Sequence, residues 1–236
     1  MPIKLSQNFS IEKAHKLQLR LSEKVIKKDM TPKTLRLIGG VDVAYAKGKS
    51  IGCAAVLDFN SLALMEFQTA LCETKFPYIP TLLSFREIPP ATQALKKLQH
   101  QPDILLVDGQ GIMHPYGLGF ASHLGLVIKK PTIGVAKNPL HGEIGKFNTL
   151  GWAPITSKGK VIGAAVKTKG RIAYVSIGHM ISLKKAIKIV KHCTQTSGIP
   201  QPIRMAHIKA TEVKLKLERK VENGFQNEKS HRKNQR

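Results

Sequence analysis

The chain has 236 residues, 42% of them hydrophobic, enough for one large domain with a proper core. No run approaches the roughly 20 apolar residues of a membrane span, and the N-terminus lacks an apolar signal core, so a soluble cytoplasmic protein is expected. Lys plus Arg number 38 against 15 Asp plus Glu, a net charge of +23, which favours a polyanionic partner, nucleic acid before an anionic membrane surface.

In chain order, residues 9 to 28, "FSIEKAHKLQLRLSEKVIKK", predict an amphipathic helix. Ser10 serves as its cap, and Ile11, Ala14, Leu17, Leu21 and Val25 make one apolar face. "LRLIGGVDVAYA", "SIGCAAVLDF" and "LALMEFQTAL" read as three strands of an antiparallel meander. "KFPYIP" is a stiff loop, because each proline fixes its own φ and restricts its predecessor. Helical spacing runs from about Thr81 to His100, interrupted at Pro89 and Pro90. "DILLVD" reads as a buried strand, "GLGFASHLGLVIKK" as a helix and "PTIGVAK" as a strand, which together suggest a parallel crossover. "KVIGAAVKTKGRIAYVSIG" predicts a hairpin turning at Lys169-Gly170, and "SLKKAIKIVKHCTQT" a helix capped by Ser182. A last helix starts near Ile203 and runs into a polar tail.

The simplest organisation is one α/β domain over residues 1–222, with a mixed central sheet and flanking helices. A basic, disordered tail over 223–236 would follow. Residues 204 to 236 carry a net charge of +6, leaving +17 for the rest, so the basic character belongs to the body of the chain. Cys53, Cys72 and Cys193 show no CxxC spacing and read as plain thiols rather than a disulfide framework or a zinc site.

Three acids stand out. Asp42 interrupts an apolar strand, where a lone carboxylate is costly unless paired or bound to metal; an outward-facing edge-strand aspartate is the equal alternative. Asp108 ends the strand in "LLVDGQGIMHP", and ligands of α/β sheets gather at such strand ends. The glycines behind it leave room for a substrate against the backbone, although Asp-Gly is also ordinary turn chemistry. Glu87 alone would be a solvated helix position. With the two aspartates it makes a carboxylate cluster suited to Mg²⁺ or Mn²⁺, and metal-assisted phosphodiester cleavage fits so basic a protein.

The motifs "GGVDVAY", "FPYIPTLLSFRE", "DGQGIMHP", "LGFASHLGL" and "PTIGVAKNPL", with "PIRMAHI" near the end, follow the order and spacing of endonuclease V, the deoxyinosine-specific repair nuclease family. This resemblance spans roughly Leu37 to Lys209 and implies an RNase H-like fold. The implied activity is a Mg²⁺-dependent DNA repair endonuclease that cuts the second phosphodiester bond 3′ to a deaminated base, with Mn²⁺ as a substitute metal. It also implies that Asp42, Glu87 and Asp108 hold the metal and that Lys137 lies by the cleaved phosphate. Pro77, Tyr78, Ile79 and Pro80 would form a wedge in the duplex, consistent with the stacking lost when a base flips out. The base pocket would use Ile79, Leu83, Gly109, His114, Gly134 and Leu140.

Three positions depart from the family's pattern. His207 stands where many relatives have aspartate, Tyr116 where arginine is usual, and Thr81 where glycine is common. The expected partner is nucleic acid, bound by a monomer with no membrane attachment. Inosine in RNA is an alternative substrate, and a non-cleaving nucleic-acid-binding protein is the alternative from another class.

Overall fold

The computed structural model describes residues 9–194 and 197–233, with side chains as far as residue 219. Three hairpin-connected strands come first, β1 (Leu37–Ala46), β2 (Lys49–Asp58) and β3 (Leu64–Glu73), paired antiparallel as the meander expectation had it. Helix α2 (Leu83–Lys96) leads to β4 (Ile104–Asp108), which lies parallel to β1. The crossover through α3 (Phe120–Ile128) then sets β5 (Thr132–Ala136) parallel to β4.

Four more strands extend the sheet: β6 (Glu143–Ile144), β7 (Trp152–Ser157), β8 (Lys160–Thr168) and β9 (Arg171–His179). The nine-stranded order is β3-β2-β1-β4-β5-β9-β8-β7-β6, a mixed sheet with flanking helices. The β8–β9 hairpin turns where expected. The pair β6 and β7 had no counterpart in the sequence reading. One is two residues long, and the other carries Pro154 and a register shift at Ile155, so neither shows clean alternation.

Alternation along β4 sorts the core. Leu105 and Val107 join Val41, Ala91 and Phe120 under α2 and α3. Ile104 and Leu106 join Ile38, Ile203 and Ala206 under α4 (Leu183–His192) and α5 (Gln201–Lys233). Asp108, two residues beyond Leu106, therefore belongs to the face that α5 covers. Ser182 caps α4 as expected, its hydroxyl accepting from the Lys185 amide.

Helix α1 (Ile11–Ser22) departs from expectation in two ways. It stops at Ser22, because the next segment bonds elsewhere: the Ile26 amide donates to His179 Nδ1 and the Met180 amide to the Ile26 carbonyl. Its buried face is Ala14 and Gln18, while Ile11 and Leu17 are exposed. Helix α5 continues to Lys233, into the stretch read from sequence as an irregular tail, through a segment rich in Lys, Glu and Gln, which are good helix formers. Pro89 and Pro90 lie inside α2 without ending it, and Thr92 Oγ1 donates to the carbonyls of Ile88 and Pro89. The three cysteines are free thiols, Cys53 and Cys193 buried. Among the described residues no helix is long and apolar enough to cross a membrane.

Candidate active site

The parallel register that pairs Val41 with Val107 carries forward to Asp42 and Asp108 on neighbouring strands. Both side chains rise on the α5 face, where His207 meets them. One ligand atom each from Asp42, Asp108 and His207 lie within 4.8 Å of one another. His207 Nδ1 pairs with Asp42 Oδ2 at 2.8 Å, and Asp42 Oδ1 accepts the Val43 amide at 2.8 Å. The histidine in "AHI" thus stands in the cluster, with Asp42 orienting its ring.

Glu87 approaches from α2 and is buried, with its hydroxyl neighbour Tyr45 donating to Oε1 at 3.4 Å. Its other oxygen, Oε2, is buried without a hydrogen-bond partner. Burial first, then the charges of Asp42 and Asp108, pushes the Glu87 carboxyl well above the usual carboxylate range. Asp108 is pushed up to about 6 by burial and then by Asp42, while Lys137 and His207 pull the other way. The Tyr45 phenol is raised, mainly by burial and then by Glu87, and the Arg86 guanidinium stacks 4.0 Å from its ring centre.

Three converging acids, one with an orphaned buried oxygen, are an arrangement that a hard divalent cation relieves and little else does. The donor set of carboxylates and one imidazole fits such an ion. Lys137 follows β5 directly, exposed at the rim, where its charge acts on Asp108.

Beside the acids lies a cavity of about 340 Å³. Tyr78, Leu83, Gly109, His114 and Leu140 line it, together with Gln110, Phe120 and Asn138, which the sequence reading passed over. Gln110 and Asn138 stood inside quoted motifs; Gln110 Nε2 donates to the Asn138 carbonyl at 2.8 Å and ties the two loops together. Ile79 and Gly134 are not among the lining residues. A Cβ on Gly134 would stand 2.4 Å from the Gly111 nitrogen, so this glycine lets the "DGQG" loop lie on β5. Gly109 has φ +155°, and a Cβ there would meet Phe120 at 3.3 Å.

His114 is buried, and burial holds its imidazole down at about 4, so it is neutral at physiological pH. The Tyr116 amide donates to its Nδ1 at 3.2 Å, which leaves the proton on Nε2 as a donor.

The wedge loop sits on an aromatic stack. Phe76 packs edge-on to Phe9 at 5.4 Å and face-on to Phe85 at 5.9 Å, while Tyr78 is 66% exposed at the cavity mouth. Behind the wedge, Thr81 adopts φ +70°, a conformation glycine takes freely and threonine does not. Helix α1 holds it there. His15 Nε2 lies 2.9 Å from Thr81 Oγ1, and Gln18 Nε2 donates to the Thr81 carbonyl at 2.8 Å and to the Leu118 carbonyl at 3.2 Å. Tyr116 stacks on His15 at 3.9 Å. Two of the three departures from the family pattern, Thr81 and Tyr116, thus meet through His15. The signal in the sequence was Gln18 itself, a polar residue within the apolar stripe of α1.

The sequence model of the Endonuclease V family matches residues 19–208. The chain belongs to the endonuclease V family. It is 45% identical over 211 residues to an Endonuclease V of Thermofilum pendens, covering 88% of this chain and 90% of that one. Its similarity to an Endonuclease V of Dictyoglomus turgidum is 45% over 206 residues, covering 84% and 88%. The fold superposes on the crystal structure of Endonuclease V from Streptomyces avermitilis with a TM-score of 0.81 at 33% identity, covering 89% and 96% of the two chains. It also matches Ciona intestinalis Endonuclease V, solved with a 24mer DNA containing an inosine followed by a ribo-adenosine, at a TM-score of 0.78 and 32% identity, covering 88% and 98%. Family membership makes the chain a phosphodiester-hydrolysing nuclease of deaminated nucleic acid.

Proposed function

We propose that this endonuclease V takes the hypoxanthine of deoxyinosine into the cavity beside Asp108 and hydrolyses the second phosphodiester bond on its 3′ side, with Mg²⁺ or Mn²⁺ held by Asp42, Asp108 and Glu87. The observation that carries this is adjacency: the acidic cluster and the 340 Å³ cavity share Asp108. A bound divalent ion supplies Lewis-acid stabilisation of the phosphoryl and leaving oxygens and lowers the pKa of water.

The chain's own residues do the rest. Asp42 and Asp108 present charged oxygens from two rigid strands, and Glu87 adds a third from α2. Lys137 meets the phosphate as a point charge at the rim. Asp42 fixes His207 through Nδ1, leaving Nε2 to face solvent or substrate. In the cavity, Phe120 and Leu83 cover the flat faces of a base, and neutral His114 offers an Nε2 donor of the kind that the purine carbonyl accepts. Tyr78 fills the space the base vacates, offsetting part of the few kcal/mol of lost stacking.

A protein that only bound nucleic acid would carry the unfavourable Glu87 and Asp108 charges to no purpose, which argues against the non-cleaving alternative. The test is cleavage of matched inosine-containing DNA and RNA oligonucleotides in Mg²⁺ and in EDTA, with the cut mapped. Activity confined to Mg²⁺ or Mn²⁺ and a cut one nucleotide beyond the lesion's own 3′ phosphate support the reading. Full activity in EDTA overturns it, and faster cleavage of the RNA moves the assignment to inosine in RNA.

A further inference from the structure

A second and larger cavity, of about 680 Å³, opens on the other side of Asp108. It shares Asp108 and Ala136 with the base cavity and has Lys137 at its mouth. One wall is apolar, made by Ile172 and Tyr174 of β9 and by Ile199, Pro200 and Ile203 before and within the first turn of α5. Lys167 and Arg171, at the ends of β8 and β9, stand on the far rim. Asp108 is the only acid among its lining residues. Among the described residues neither Lys167 nor Arg171 pairs with a carboxylate; the Lys167 ammonium lies 4.8 Å from the Phe147 ring centre. Ile203 and His207 are four residues apart on α5, so one helix face runs from the acidic cluster into this groove.

Unpaired cations facing an apolar wall suit a nucleotide, with phosphates on the rim and the nucleoside against the wall. A strand whose lesion occupies the smaller cavity passes the carboxylates and then meets this groove. Resting on the function proposed above, in which the cut falls 3′ to the lesion, we infer that the groove lined by Lys167, Arg171, Ile172 and Tyr174 binds the strand immediately 3′ of the scissile phosphate. Lys167 and Arg171 are thus positioning residues for the downstream strand, and the groove sets how much 3′ flank the substrate needs.

The experiment uses single-stranded inosine oligonucleotides that end one, two, four or eight nucleotides beyond the cut. Binding in Ca²⁺ and single-turnover cleavage in Mg²⁺ are measured for the full chain, for K167A/R171A and for the charge-keeping K167R/R171K. Wild-type affinity and rate are expected to rise with 3′ length. The K167A/R171A deficit is expected to grow along the series to roughly tenfold, with a salt slope shallower by about 2 on the longest oligonucleotide, one for each lost phosphate contact. K167R/R171K should recover most of the loss. A deficit independent of 3′ length, or none, overturns the inference while leaving the proposed activity standing. Should the wild type cut none of the oligonucleotides, the proposed activity fails, and the length dependence of binding alone still decides whether the groove holds a downstream strand.

Discussion

Asp108 and Gly109 are neighbours in the chain yet serve two opposite environments. On the Asp108 side, three acids crowd one another, and burial raises Glu87 and Asp108 against their charged forms. On the Gly109 side, the cavity is lined by apolar walls and a histidine that burial keeps neutral. The first region is built for a ligand that supplies charge, the second for one that supplies a flat uncharged surface. The difference teaches that a single strand end can serve both chemistries, because its last side chain and the backbone behind it face different sides. Substitutions that separate the two regions test that division.

The largest effect is expected from the acids. Asp108→Asn or Asp42→Ala should lower cleavage by at least about 10³-fold, since a metal site contributes several kcal/mol and 1.36 kcal/mol is a decade in rate. Affinity for inosine DNA should stay within a few-fold, because the cavity walls are untouched. Single-turnover rates and binding isotherms on the folded variants check this, and a variant retaining a tenth of wild-type activity would remove that residue from the site. Gly109→Val should do the reverse. At φ +155° and 3.3 Å from Phe120, the new side chain both strains the loop and fills the cavity. Inosine affinity is expected to fall roughly 10- to 100-fold, 1.4 to 2.8 kcal/mol, with Mn²⁺ binding near wild type. Gly109→Ala, which adds only a methyl, should lie between; inosine binding at the wild-type level in both would reduce Gly109 to turn chemistry.

Much of this division was legible before any coordinates. The β1–β3 meander and the β4–α3–β5 crossover followed from apolar runs broken by glycine, because burial on both faces writes the same signal in sequence as in structure. Asp42 and Asp108 were visible as charges in apolar strands. Glu87 and His207 were not visible by pattern, because each sits on a helix where its type is ordinary; the motifs around them supplied the reason. The end of α1 was hidden because bonds to His179 and Met180, more than 150 residues away, decide it. The clamp on Thr81 was hidden for the same reason, since nothing local tells that Gln18 reaches 63 residues ahead.

Glu87 sharpens the comparison through stability. In EDTA its buried carboxyl, with Oε2 unpartnered, opposes folding at neutral pH. Glu87→Gln removes the charge at nearly constant shape and should stabilise the metal-free protein by roughly 1–3 kcal/mol, the scale of an unsatisfied buried polar group. For a chain of this length that raises Tm by about 2–4 °C per kcal/mol. The same variant should lose activity, and its Tm should respond less to added Mg²⁺ than that of the wild type. Thermal melts in EDTA and in Mg²⁺ decide the matter; a lower Tm for Glu87→Gln in EDTA would mean that the carboxylate is satisfied within the fold.

The smallest effect comes from pH and gives the two regions opposite signs. His114 and His123, both held at about 4 by burial, are neutral when folded but take protons in the unfolded chain below about 6.5. Their contribution is complete above pH 6.5 and is lost as pH falls toward 4, about 1 kcal/mol each between pH 7.5 and 5.5. Asp108, raised to about 6 from an ordinary 3.8, behaves the other way in the absence of metal. It binds a proton when folded before it would when unfolded, so it opposes folding above pH 6 and that penalty fades as pH falls. Urea unfolding of the wild type in EDTA should therefore change little between pH 7.5 and 5.5. Asp108→Asn removes the compensating arm and should lose about 1 kcal/mol more than the wild type over the same interval. His123→Gln removes one opposing arm and should become relatively more stable at pH 5.5. If both variants keep the wild-type pH slope, neither region titrates as its burial requires, and the contrast between a charge-seeking centre and a neutral pocket is wrong.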